Sequence, residues 1–125
     1  MNVVDSSAWL EYFANGPNAT FFAKAVEETR RLVVPTLCLF EVFKKIHQIR
    51  SENDALQAAA SMKQGIVVDL DAPLALAAAR LSIQHRLPLA DSIVLATTRS
   101  FNATLWTQDC DFKDLPNVRY RPRKP

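Results

Sequence analysis

The chain has 125 residues, 49% of them hydrophobic, which suits a single domain (1–125) with a real core, and no apolar run approaches the roughly 18 residues that would cross a bilayer. Its formal charge of +2 conceals an asymmetry: Arg119, Arg121, Arg123 and Lys124 sit in a basic tail (about 119–125), and removing those four from the 15 Lys and Arg leaves 11 against 13 acids, a net of −2. Gly16 and Gly65 are the only glycines, which excludes a Walker A loop and a dinucleotide-binding fingerprint.

The first residues, Met1-Asn2-Val3-Val4-Asp5, have no basic leader and predict a strand over 2–5 rather than a signal peptide. Ser6 to Phe13 follows as a short helix, ended by Asn15-Gly16-Pro17, and a second helix runs to about Glu28. Leu32-Val33-Val34 reads as a strand stopped by Pro35, with Thr36 placed to cap a long helix to about Arg50. A helix over 52–64 precedes a strand at Ile66-Val67-Val68. Asp71 is placed to cap an Ala- and Leu-rich helix to about Gln84, and Pro88 to start another over 89–100. Strands at Thr104-Leu105-Trp106 and Val118-Arg119-Tyr120 complete the chain. The strands are continuous apolar runs that alternate with helices. That pattern predicts a mainly parallel sheet of four to five strands, covered on both faces in a three-layer α/β/α sandwich.

Four acids fall where such a fold gathers chemistry, at the carboxyl ends of strands. Asp5 follows the first strand and Asp109 the fourth, Asp91 opens the helix that leads into the fourth, and Glu41 interrupts the apolar run Leu37 to Phe43. Each has a local explanation: a cap for Asp5, a helix dipole for Asp91, pairing of Glu41 with Lys44 or Lys45, a turn for Asp109. Together, four carboxylates within reach of one another would repel, at about 4 kcal/mol per pair 4 Å apart in an effective dielectric of 20. Such a cluster calls for a cation, and all-oxygen ligands suit Mg²⁺ or Mn²⁺.

Other features carry less. Ile66-Val67-Val68-Asp69-Leu70-Asp71 has the look of a phosphatase DxD strand, but Pro73 and the short remainder of the chain oppose it, and capping by Asp71 explains it. His47 and His85 have no metal-ligand spacing and read as surface or helix-end residues. Cys38 and Cys110 lack CxxC spacing and fit a reducing, cytoplasmic setting. Cys110 is expected as a small buried side chain. Trp9 and Phe13, four apart, fit either the core or a second apolar stripe facing a partner. A receiver-type domain would need a Lys after a late strand, and Thr107 to Asp111 supplies none.

The blocks Val3-Val4-Asp5-Ser6-Ser7, Glu41 after Val33-Val34-Pro35-Thr36, Leu89-Ala90-Asp91-Ser92 and Leu105-Trp106-Thr107-Gln108-Asp109-Cys110-Asp111-Phe112 resemble, in order and spacing, the PIN-domain ribonucleases, most closely the VapC-type toxins. The resemblance implies Asp5, Glu41, Asp91 and Asp109 as metal-binding and catalytic acids. It implies Ser6 and Thr107 as supporting hydroxyls and Asp111 as an outer ligand. It implies Mg²⁺-dependent hydrolysis of RNA, with Mn²⁺ able to substitute, a cognate antitoxin and a homodimer. The competing reading is a non-catalytic PIN-like module that binds RNA or protein.

Overall fold

Short runs of β-branched and aliphatic residues build the centre of the molecule. The computed structural model describes residues 1–125. In it, β1 (Asn2–Val4), β2 (Leu32–Pro35), β3 (Ile66–Val68), β4 (Thr104–Thr107) and β5 (Val118–Tyr120) form one sheet in the order β3-β2-β1-β4-β5. Every pairing is parallel. Val3 lies between Val33 and Leu105, and Val4 pairs with Trp106. The helices are α1 (Ser6–Phe13), α2 (Ala19–Val26), α3 (Thr36–Ile49), α4 (Glu52–Met62), α5 (Ala72–His85) and α6 (Leu89–Ser100). Trp106 meets Phe21 of α2, whereas Leu105 faces Leu95 of α6. Adjacent strand residues point to opposite faces, so α2 and α6 cover opposite sides of the sheet. No helix is long and apolar enough to cross a membrane.

This strand order creates a switch point. From β1 the chain moves outward to β2 and β3, then returns to place β4 on the other side of β1. The crevice beyond the carboxyl ends of β1 and β4 is where such sheets bind ligands. α6 descends from that edge to feed β4, so its first turn, with Asp91, stands above the crevice.

Several expectations are corrected. Pro35 ends β2 and occupies the cap position of α3, so Thr36 is already helical and its side chain caps nothing. The second helix stops at Val26, and Thr29–Arg31 forms a separate 3-10 turn. β3 is an edge strand with Ile66 and Val67 about 40% exposed, because only β2 flanks it and no helix covers it fully. Trp9 is fully buried and Phe13 half-buried, the two rings stacked at 5.6 Å, which assigns Trp9 to the core. Asp71 does cap α5, accepting from the Leu74 N–H at 3.0 Å. His85 closes α5, as expected, and His47 is exposed.

Gly65 enters β3 where the backbone crosses closely over β2. A Cβ there would stand 2.8 Å from the Leu32 carbonyl oxygen and 2.9 Å from Val34 Cγ2. Backbone and a buried valine cannot yield cheaply. Gly65→Ala is therefore expected to lower stability by about 1–3 kcal/mol in a denaturant melt.

Candidate metal centre

Asp5 sits one residue past β1, and the ladder reaches it: its N–H donates to the Trp106 carbonyl at 2.9 Å. The residue is only 5% exposed. Asp5 occupies the cap position of α1 without capping it, because its side chain makes no capping hydrogen bond. Instead Oδ2 accepts from Ser7 Oγ at 2.9 Å and from Thr107 Oγ1 at 3.0 Å. The simple capping explanation for Asp5 therefore fails.

Thr107 joins two acids. Its hydroxyl donates to Asp5 and accepts from the Asp109 N–H at 2.8 Å. Asp109 Oδ1 in turn accepts from the Asp111 N–H at 2.9 Å, folding the loop after β4 into a tight turn. Glu41, half-buried on α3, accepts from Ser6 Oγ at 2.7 Å and has no lysine partner. Ser6 thus ties the first turn of α1 to α3.

Negative charge accumulates around Asp91 and Asp5. Burial pushes the Asp91 carboxyl up to about 7, aided by the charges of Asp109, Asp5 and Asp111 and by a hydrogen bond with the Asp111 carboxyl. Asp5 is also raised, by burial first and by the charge of Asp109, against the lowering effect of its two hydroxyl donors. Burial raises the Cys38 thiol, and the charges of Asp5 and Glu41 add to that shift, so both acids border this one buried sulfur. No cation relieves the cluster. The chain forms only two ion pairs, Glu28–Arg31 and Asp54–Arg50, both on the surface.

Asp5, Asp91, Asp109 and Asp111 thus share one negative field at the carboxyl edge of the sheet, and Glu41 joins them through Ser6, but only the Asp109 and Asp111 carboxylates, with the Cys110 sulfur, form a group of three potential ligands within 4.8 Å of one another. An uncompensated, partly buried set of carboxylate oxygens fits a hard divalent cation. Cys110 departs from expectation. It is exposed, not buried, because the turn at Asp109–Asp111 points it outward, and its sulfur lies within 4.8 Å of the Asp109 and Asp111 carboxylates.

A further support was not legible in the sequence. Buried Asn18 donates through Nδ2 to Gln108 Oε1 at 2.7 Å, and Gln108 donates through Nε2 to the Ser7 carbonyl at 3.3 Å. These residues brace the loop after β4 against α1. Their pairing spans 90 residues of chain, and no local pattern announces it.

The PIN domain family profile matches residues 3–118. No curated protein matches. Among solved structures, a toxin–antitoxin complex from Klebsiella pneumoniae is 18% identical, with a TM-score of 0.81 over 95% of this chain and 96% of that one. VapC20 of Mycobacterium tuberculosis, described as a sarcin-ricin loop cleaving toxin, is 20% identical, with a TM-score of 0.78 over 98% of this chain and 100% of that one. VapBC-1 from nontypeable Haemophilus influenzae is 15% identical, with a TM-score of 0.72 over 97% of this chain and 96% of that one. At these identities the likeness is one of fold.

Asp91 titrates at about 7 in the folded chain and near 3.8 when unfolded. Raising a carboxyl pKa on folding favours the folded state at low pH. The stability it contributes is complete below about pH 4 and is lost as pH rises through about 7. In EDTA the melting temperature is therefore expected to fall between about pH 4 and pH 7. Asp91→Asn should remove much of that fall, and circular dichroism melts across the range would detect it.

Proposed function

The chain belongs to the PIN domain family, and from that membership we propose that it is a divalent-metal-dependent endoribonuclease acting as the toxin of a toxin–antitoxin pair. The observation that carries this reading is the gathering of buried and half-buried carboxylates at the sheet's switch point with no cation of the protein's own to neutralise them.

Asp5, Asp91, Asp109 and Glu41 are the residues that would hold Mg²⁺ or Mn²⁺. A bound dication of this kind supplies Lewis-acid charge for attack of water on an RNA phosphorus and for departure of the 3′ oxygen. The protein's contribution is placement. Thr107 and Ser7 fix the Asp5 carboxylate, Ser6 fixes Glu41, and the Asp109 turn presents Asp111 beside Asp91. Neither histidine belongs to the site.

The solved relatives include toxin–antitoxin complexes, which supports a cognate antitoxin for this chain. A groove of about 600 Å³ beside the metal centre offers a seat for it, with Leu10, Phe13, Ile46 and Ile49 as an apolar floor and Lys45 and Arg50 at the rim. Homodimer formation is supported by Leu76 and Ile83, exposed seven residues apart on one face of α5. The exposed free thiol of Cys110 fits a reducing cytoplasm.

Mn²⁺ is expected to raise the wild-type melting temperature and to leave Asp5→Asn nearly unmoved. RNA cleavage in Mg²⁺ should stop on chelation. Thr107→Val, which loses the bridge between two acids, should cost about 10–100-fold in cleavage, as supporting contacts to metal ligands generally do, and Asp91→Asn should cost more. Growth arrest on induced expression should disappear with Asp91→Asn. RNA binding without metal-dependent cleavage would favour the non-catalytic module instead.

A further inference from the structure

Three arginines leave β5 at two-residue spacing, and the structure shows what that spacing does. Arg119 and Arg121 lie against Trp106 and Phe21, about 6.6 Å apart by the strand rise, and Arg123 continues the two-residue spacing. The guanidinium of Arg119 lies 5.2 Å from the centre of the Trp106 ring, and that of Arg121 lies 4.4 Å from the centre of Phe21. Arg123 reaches the rim of the groove beside Ser7 and Gln108. All three are exposed, and none has a carboxylate partner. Glu11 lines the same groove as Arg123, but its carboxylate is engaged by the Asn18 N–H at 2.7 Å.

The tail that carries them is pinned. The Arg121 N–H donates to the Thr107 carbonyl at 3.1 Å, prolonging the parallel ladder, and Asn18 Nδ2 donates to the Pro122 carbonyl at 3.0 Å. Thr107 is the residue whose hydroxyl holds Asp5. The row therefore starts on the sheet and ends beside Ser7, whose hydroxyl holds Asp5. Other candidate cations are placed less well. Arg99 lies two turns down α6 from Asp91 and shares its cleft with Asp69 and Asp71.

We infer that Arg119, Arg121 and Arg123 form a phosphate-tracking row that holds the backbone of a single-stranded RNA and leads it into the metal centre. The inference rests on the nuclease reading for its substrate class. Unpaired guanidiniums at every second residue of one segment match a linear polyanion. Stacking on Trp106 and Phe21 fixes two of them in advance, so little side-chain freedom is lost on binding.

The test is fluorescence anisotropy with a labelled oligouridine of about a dozen nucleotides, in EDTA so that no cleavage occurs, over a range of salt. Replacing all three arginines by glutamine should weaken binding about tenfold or more and reduce the slope of log affinity against log salt by about 2, near 0.7 for each lost contact to a single strand. Replacing all three by lysine should retain most of the slope. Arg123→Gln alone, which disturbs no ring contact, should reduce it by about 0.7. An unchanged slope in the glutamine variant, an equal loss in the lysine variant, or no binding by wild type would each overturn the inference. Hydrolysis of bis(p-nitrophenyl) phosphate by the wild-type chain in Mn²⁺ reports on the metal centre separately. Hydrolysis with an unchanged salt slope in the glutamine variant refutes the row alone. A row-dependent slope without hydrolysis refutes the nuclease and leaves the row standing.

Discussion

A carboxylate fixed at the end of the central strand is the constraint on which the site depends. Asp5 cannot retreat from the core, because β2 and β4 flank β1 and the ladder to β4 continues through its own N–H. Taking an ion out of water costs several kcal/mol even after the surroundings relax. Two hydroxyl donors offset part of that, at about 1.5–3 kcal/mol for each hydrogen bond to a charged group. The remainder shows in the raised pKa of Asp5 and in the rise at Asp91, which faces the same negative field. The fold holds these charges in place with no cation of its own to relieve them.

The supporting residues are small for a physical reason. Ser6, Ser7 and Thr107 each have one hydroxyl proton, and each gives it to a carboxylate. A longer donor such as lysine would bring a positive charge that competes with a metal ion. Hydroxyls orient the acids without neutralising them, so the site keeps both its geometry and its charge. The brace through Asn18 and Gln108 extends the same logic outward, fixing the loop after β4 with neutral amides.

The surroundings of the site divide by chemistry. One flank is the apolar groove between α1 and the α3–α4 pair, suited to a protein segment. The other is the arginine row along β5, suited to a polyanion. Arg123 stands where the two meet. A segment seated deeply in the groove would therefore approach the end of the row as well as Ser7, which holds Asp5.

The order of elements, the parallel sheet and the acids at strand and helix ends were legible in the sequence. Apolar runs, helix stop signals and the alternation of strand with helix are local patterns, and the positions of Asp5, Asp91 and Asp109 follow from them once strands are taken as parallel. The family resemblance added roles that no spacing supplied. Tertiary structure alone decided the rest. Asp5 could have been a cap until its carboxylate was found turned away from α1 toward Thr107, a partner 102 residues distant. Cys110 looked like a small core residue, and only the backbone turn at Asp109 exposes it. The exposure of β3 follows from its place at the sheet edge, and strand order is not a property of any one strand. The direction of the basic tail is set by the ladder bond to Thr107 and the bond from Asn18. Sequence patterns report which residues share a face or begin an element. Which charges meet, and which side chain covers them, depends on contacts between segments far apart in the chain, and these form only when the sheet closes.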